Sequence, residues 1–293
     1  MPRTRSTTTR RHFLGTTAAT AVAGSLATPA TGTVDNQAGP ASPRKRIAII
    51  TTLWAYLRHG QHIGDRFLVG YPWEGDWHEP EVEVVSAFVA QQPTAMDRKI
   101  RAKEFGFPQG DLSIHRAQEF GFSLHKSIAE ALRCGGKTLA VDGVVLIAEH
   151  GEYPTNPLGQ KLYPRAEFFS EIVDVFRSDG RAVPVFNDKH LSYSFEKASE
   201  MVADGHRLGF PLIAGSSLPV TWRLPDVELP LDCDIDEAIM VGTGGGGSDA
   251  MDYHLLEAMQ CLIERRRGGE TGVAAVQSLA GEEVWRAGDD GRC

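Results

Sequence analysis

At 293 residues with 42% hydrophobic content, the chain can bury a full core as one large domain or two modest ones. A formal charge of -8 and a pI near 5.7 leave no basic stripe beyond the extreme N-terminus, which sets aside nucleic acid and acidic membrane surfaces as partners. Cys134, Cys233, Cys261 and Cys293 form no C-x-x-C pair, so neither a zinc knuckle nor a redox dithiol is signalled.

The first 30 residues carry a basic start, the pair Arg10–Arg11, an Ala/Val/Leu-rich run and small residues at Ala27–Ala30. They resemble a twin-arginine export signal. Their apolar run is shorter than the roughly 20 residues a spanning helix needs, so no stable membrane insertion is expected after cleavage. The expected location is periplasmic or otherwise extracytoplasmic. Residues 31–45 read as a linker rich in Gly, Pro and small polar side chains.

From Arg46 onward, short Val/Ile-rich runs alternate with helical patterns. Strands are expected at 46–52, 82–90, 139–148, 182–186 and 210–214, uninterrupted enough to be covered on both faces. Between them, Ser127 and Glu130 form a capping box, and Phe168, Phe169, Ile172, Val173 and Phe176 line one face of a helix ending at Gly180. The segment RAKEFGF at 101–107 recurs as RAQEFGF at 116–122, a local duplication too short for a solenoid. This alternation predicts an α/β fold: a Rossmann-like parallel sheet with helices on both faces over residues 46–215. After Gly215, three prolines mark a crossing segment into 216–293, read as an incomplete α+β unit with strands at 236–242 and 272–279.

The stretch at 181–215 raises the functional question, because Asn187, Asp188, Lys189 and His190 follow an apolar strand directly. It resembles the segment of the Gfo/Idh/MocA family (glucose-fructose oxidoreductase and inositol dehydrogenase) that carries an acid, a lysine and a proline at the sheet edge. Asp188, Lys189 and His190 hold those three positions here. VDGVVLIAEHGEY resembles the family strand ending near the nicotinamide, and the stretch from Gly244 to Val276 resembles the one bringing a catalytic histidine to the cofactor, with His254 and Glu257 on its H-x-x-D/E part. The resemblance spans about residues 46–280. It implies NAD(P), catalytic roles for Lys189, His190 and His254, and cofactor contacts from Thr51, Thr52, Gln91, Glu149 and Asp188.

The first turn departs from that pattern. A dinucleotide site needs G-x-G-x-x-G after its first strand, so that bare backbone can approach the pyrophosphate. Here Leu53, Trp54 and Tyr56 stand where glycines belong, and the strand at 82–90 leads into Gln91 and Gln92 rather than an acid. Three readings therefore stay open: a sugar-directed oxidoreductase relative with an altered nucleotide site; a hydrolase or lyase holding a divalent metal on His62, Asp65, His150 and Glu152; and a binding module without turnover. A small molecule, a sugar in the first reading, is the expected partner, and self-association is compatible with each. The loop at 151–165 is a candidate lid, and the glycine run at 244–247 lacks the Lys-Ser/Thr of a phosphate loop.

Overall fold

The structure, a computed structural model, describes residues 43–94, 110–242 and 249–292. The expected export signal, nearly all of the expected linker, the first copy of the repeat and the glycine run lie outside the described residues. Residues 43–293 group as one compact unit.

In chain order the elements are β1 (Lys45–Leu53), α1 (His59–Val69), the hairpin β2 (Tyr71–Trp73) and β3 (Asp76–His78), β4 (Val82–Gln91), α2 (Ser113–Phe120), β5 (Ser123–His125), α3 (Ile128–Leu132), β6 (Gly143–Ile147), α4 (Arg165–Asp179), β7 (Val185–Asp188), α5 (Phe195–Leu208), β8 (Leu212–Gly215), a 3-10 turn (Leu218–Val220), α6 (Asp249–Ile263) and α7 (Glu282–Asp289). The main sheet has six strands in the order β5-β4-β1-β6-β7-β8, every pairing parallel. That is the Rossmann-like α/β sheet expected from the sequence.

Alternation along the two central strands explains why they read as continuous apolar runs. Ala48 and Ile50 of β1, with Val144 and Leu146 of β6, pack beneath α3 and α4 in a cluster containing Ile128, Leu132, Phe169, Ile172 and Phe176. Ile47, Ile49, Val145 and Ile147 face the other way, against Trp54, Val84 and Phe122. Neither face meets water, and each fully buried large side chain contributes about 1.5–3 kcal/mol.

Local signals hold where the chain can satisfy them alone. Ser127 Oγ accepts the Glu130 N–H at 3.2 Å, and the Glu130 carboxylate accepts the Lys126 N–H at 3.1 Å, which starts α3. The second repeat copy forms α2 and stops at Gly121, in the left-handed region at φ 77°. The strands expected at 236–242 and 272–279 are not formed. Ile239 and Val276 are each 86% exposed, and the described residues of this tract pair only through an isolated bridge between Cys233 and Arg266. Apolar spacing alone supplies no ladder partner, and the three prolines between Pro219 and Pro230 withhold donors.

Candidate active site

β1, β6, β7 and β8 run parallel, so their carboxyl ends share one edge of the sheet, and chain order reverses direction between β1 and β6. Ligands of such sheets sit beyond that edge. A cavity of about 480 Å³ lies there, lined by His59, His62, Asp188, Lys189, Ser216 and His254 among others. Its size is that of a small-molecule site.

β7 ends by delivering Asp188, and Lys189 follows it. Asn187, buried between them and the sheet, donates its amide to the Asp188 carbonyl at 3.0 Å and to the His190 carbonyl at 3.3 Å, which fixes the turn. Lys189 is 7% exposed, and its Nζ stands 3.0 Å from His254 Nε2 and 3.8 Å from the Glu149 carboxylate. Burial pushes the Lys189 ammonium below the ordinary lysine value, and Arg165 adds to that push, against the pull of Asp188 and Glu257.

On α6, His254 and Glu257 share a helical face. His254 Nδ1 lies 2.6 Å from the Glu257 carboxylate, which also accepts the Ser216 hydroxyl at 2.9 Å. A carboxylate only accepts, so Nδ1 carries the proton and Nε2 accepts from Lys189. Ser216, Glu257, His254 and Lys189 thus form one relay ending in the cavity.

A second pair stands beside it. His59, the first residue of α1, places Nδ1 2.5 Å from Asp188 Oδ2, and its ring meets the edge of His150 at 4.9 Å. His150 holds φ 71°, the left-handed region, at the turn leaving β6. His62 lines the same cavity, its pKa lowered by burial and then by His59.

The other residues expected from the sequence have partners elsewhere. Thr51 and Thr52, both fully buried, donate to the Ile147 carbonyl at 2.9 Å and the Glu149 carbonyl at 2.6 Å. The Glu149 carboxylate is buried against the guanidinium of Arg165. Gln91 clasps the Glu152 backbone, donating to the carbonyl at 3.1 Å and accepting the N–H at 2.8 Å. Because β1 lies between β4 and β6, this bridge spans the carboxyl end of β1. His190 turns away from the relay: its ring sits 4.8 Å from Tyr253 in a neighbouring cavity, and burial, with Arg165 and Lys189 adding, lowers its pKa to about 3.

The set His62, Asp65, His150 and Glu152 is not assembled as metal ligands. Asp65 is buried with both oxygens held by Arg116, Gln61 and the Trp54 indole, and among the described residues no three His, Cys, Asp or Glu side chains gather in a ligating group. His59 stands in the site although the resemblance gave it no role, and Glu257 stands there beside His254, the partner it has on the H-x-x-D/E part of the resemblance. Ser216 and Arg165 carried no signal, since each meets its partner only through the tertiary fold.

At the turn after β1, Trp54 is buried and stacks on Phe122 at 5.7 Å, its indole donating to Asp65 at 3.1 Å. Leu57 takes φ 54° where a glycine would be unstrained. Gly60 lets α1 approach the sheet so closely that a Cβ there would lie 2.3 Å from the Leu53 carbonyl oxygen.

No known family model matches the chain, and no curated protein does. Solved structures similar in fold include several dehydrogenases. They include a Gfo/Idh/MocA family oxidoreductase from Vibrio cholerae, 14% identical with a TM-score of 0.32, over 60% of this chain and 39% of that one. A myo-inositol 2-dehydrogenase from Lactobacillus plantarum is 16% identical with a TM-score of 0.30, over 60% of this chain and 37% of its own. The WlbA dehydrogenase from Chromobacterium violaceum, solved with NADH and UDP-GlcNAcA, is 14% identical with a TM-score of 0.33, over 60% of this chain and 36% of its own. The matched region therefore spans little more than a third of each relative. The fold rests on the strand order itself.

Proposed function

We propose that this protein is an exported, sugar-directed relative of the Gfo/Idh/MocA oxidoreductases in which Lys189 and His254 move a proton on a polyhydroxylated small molecule and the nucleotide site is altered. The observation that carries the reading is the relay: a buried lysine with lowered pKa, 3.0 Å from a histidine oriented by a carboxylate, opening into a cavity of small-molecule size. The cavity's hydroxyl, imidazole, ammonium and carboxylate groups suit a ligand rich in hydroxyls. The altered nucleotide site is supported by the turn after β1, where the buried Trp54 and the left-handed Leu57 stand in place of glycines, and by the Gln91–Glu152 bridge beside it. These residues do not fit a dinucleotide laid along the strand ends, so no step is routed through one.

The test is amine labelling of Lys189 with acetic anhydride over a pH series, read by peptide mass spectrometry. Labelling of Lys189 sets in at lower pH than labelling of the exposed lysines, and myo-inositol or glucose slows it in a saturable manner. Onset at the same pH as the other lysines, with no effect of either polyol, refutes the reading. Saturable binding of NAD or NADP below 1 mM, on the order of an ordinary cofactor affinity, refutes the altered nucleotide site. Replacing Arg10 and Arg11 by lysine should hold the protein inside the producing cell, and secretion unchanged by that replacement refutes export.

A further inference from the structure

We infer that His59 and Asp188 form a second acid–base pair in the cavity of Lys189 and His254, and that the two pairs together catalyse redox-neutral loss of water from a polyhydroxylated ketone or aldehyde. The inference rests on the Lys189–His254 reading and adds the reaction class. Its basis is the end of β7. Successive residues of a strand diverge, and here Asp188 reaches His59 on α1 while Lys189 reaches His254 on α6. Asn187 fixes the turn that sets both directions. Each imidazole is oriented in the same way, with Nδ1 on a carboxylate, Asp188 at 2.5 Å for His59 and Glu257 at 2.6 Å for His254. The His59 side chain is 27% exposed against 7% for Asp188, so the carboxylate is buried behind a ring that opens to the cavity both residues line. A pair serving only packing has no need of that opening.

Both pairs line one cavity, so both can act on a single ligand held there. The Lys189–His254 pair removes the proton on the carbon next to the carbonyl. The released electron pair forms the carbon–carbon double bond as the bond from the neighbouring carbon to its hydroxyl oxygen breaks. That oxygen takes a proton from Nε2 of the doubly protonated His59 ring, whose Nδ1–H stays on Asp188, and leaves as water. Lys189–His254 then returns a proton to solvent and His59 takes one up, so nothing is oxidised or reduced.

The experiment incubates the whole protein with 2-keto-myo-inositol, and separately with D-fructose, in D2O. Proton NMR follows deuterium entering beside the carbonyl, and ultraviolet absorbance follows the conjugated product. The wild type is expected to show both. His59→Gln and Asp188→Asn are expected to slow water loss about 100-fold or more, the usual share of a general acid, while slowing exchange far less. Lys189→Met stops both. Circular dichroism and thermal unfolding of each variant confirm that the fold is retained, and Asp188→Asn is isosteric. A wild type that exchanges without losing water overturns this inference alone, as do His59 and Asp188 variants that slow the two steps equally. A wild type that does neither overturns the Lys189–His254 reading, and this inference with it.

Discussion

Acidification should destabilise the protein through His190. Burial, helped by the nearby Arg165 and Lys189 cations, lowers this imidazole from an ordinary value of 6.5 to about 3. The unfolded chain takes up a proton below 6.5 that the folded chain refuses until about 3, so stability present above 6.5 is lost as pH falls through that window. At pH 4, roughly 2.5 units into it, the loss is about 3 kcal/mol at about 1.4 kcal/mol per unit. His62 is lowered as well, so the wild-type profile alone does not isolate the effect. Urea unfolding of wild type and His190→Gln at pH 7.5 and pH 4 does: the variant should lose about 3 kcal/mol less. Equal losses, or a His190 ring proton that titrates near pH 6.5 by NMR, would refute the reasoning.

Three further perturbations follow from packing. Gly60→Ala places a methyl against the Leu53 carbonyl oxygen, forces α1 outward, and should cost about 1–3 kcal/mol, seen as a thermal midpoint several degrees lower. Arg165→Met leaves the buried Glu149 carboxylate only the more distant Lys189 ammonium and should cost about 3 kcal/mol in urea unfolding. Gln91→Ala removes two exposed hydrogen bonds to Glu152 and should cost about 1 kcal/mol, with hydrogen exchange faster at the Glu152 amide and unchanged at Ile147.

What could be read beforehand divides along physical lines. β1 and β4 were legible because both faces of each are covered, so their composition alone announces them. The 139–148 run overstated β6, since Leu139 to Asp142 serve the approach rather than the ladder. β2, β3 and β5, of three residues each, have too few side chains to show a period. The expected strands at 236–242 and 272–279 failed for the opposite reason, having a strand's composition without a neighbour. In the site, Lys189 and His254 were visible through a family pattern, whereas the diversion of Gln91, Glu149 and the two threonines depends on partners up to 97 residues away. No local pattern encodes such partners.

The strand order also sets a timetable. β1 lies at the middle of the sheet, yet Thr51 finds its partner Ile147 only 96 residues later. Until β6 leaves the ribosome, Ile47 and Ile49 have only β4 beside them, and the apolar faces of the sheet stay open. Closing so long a loop comes late and slowly, which leaves the nascent amino-terminal half dependent on protection from aggregation during synthesis.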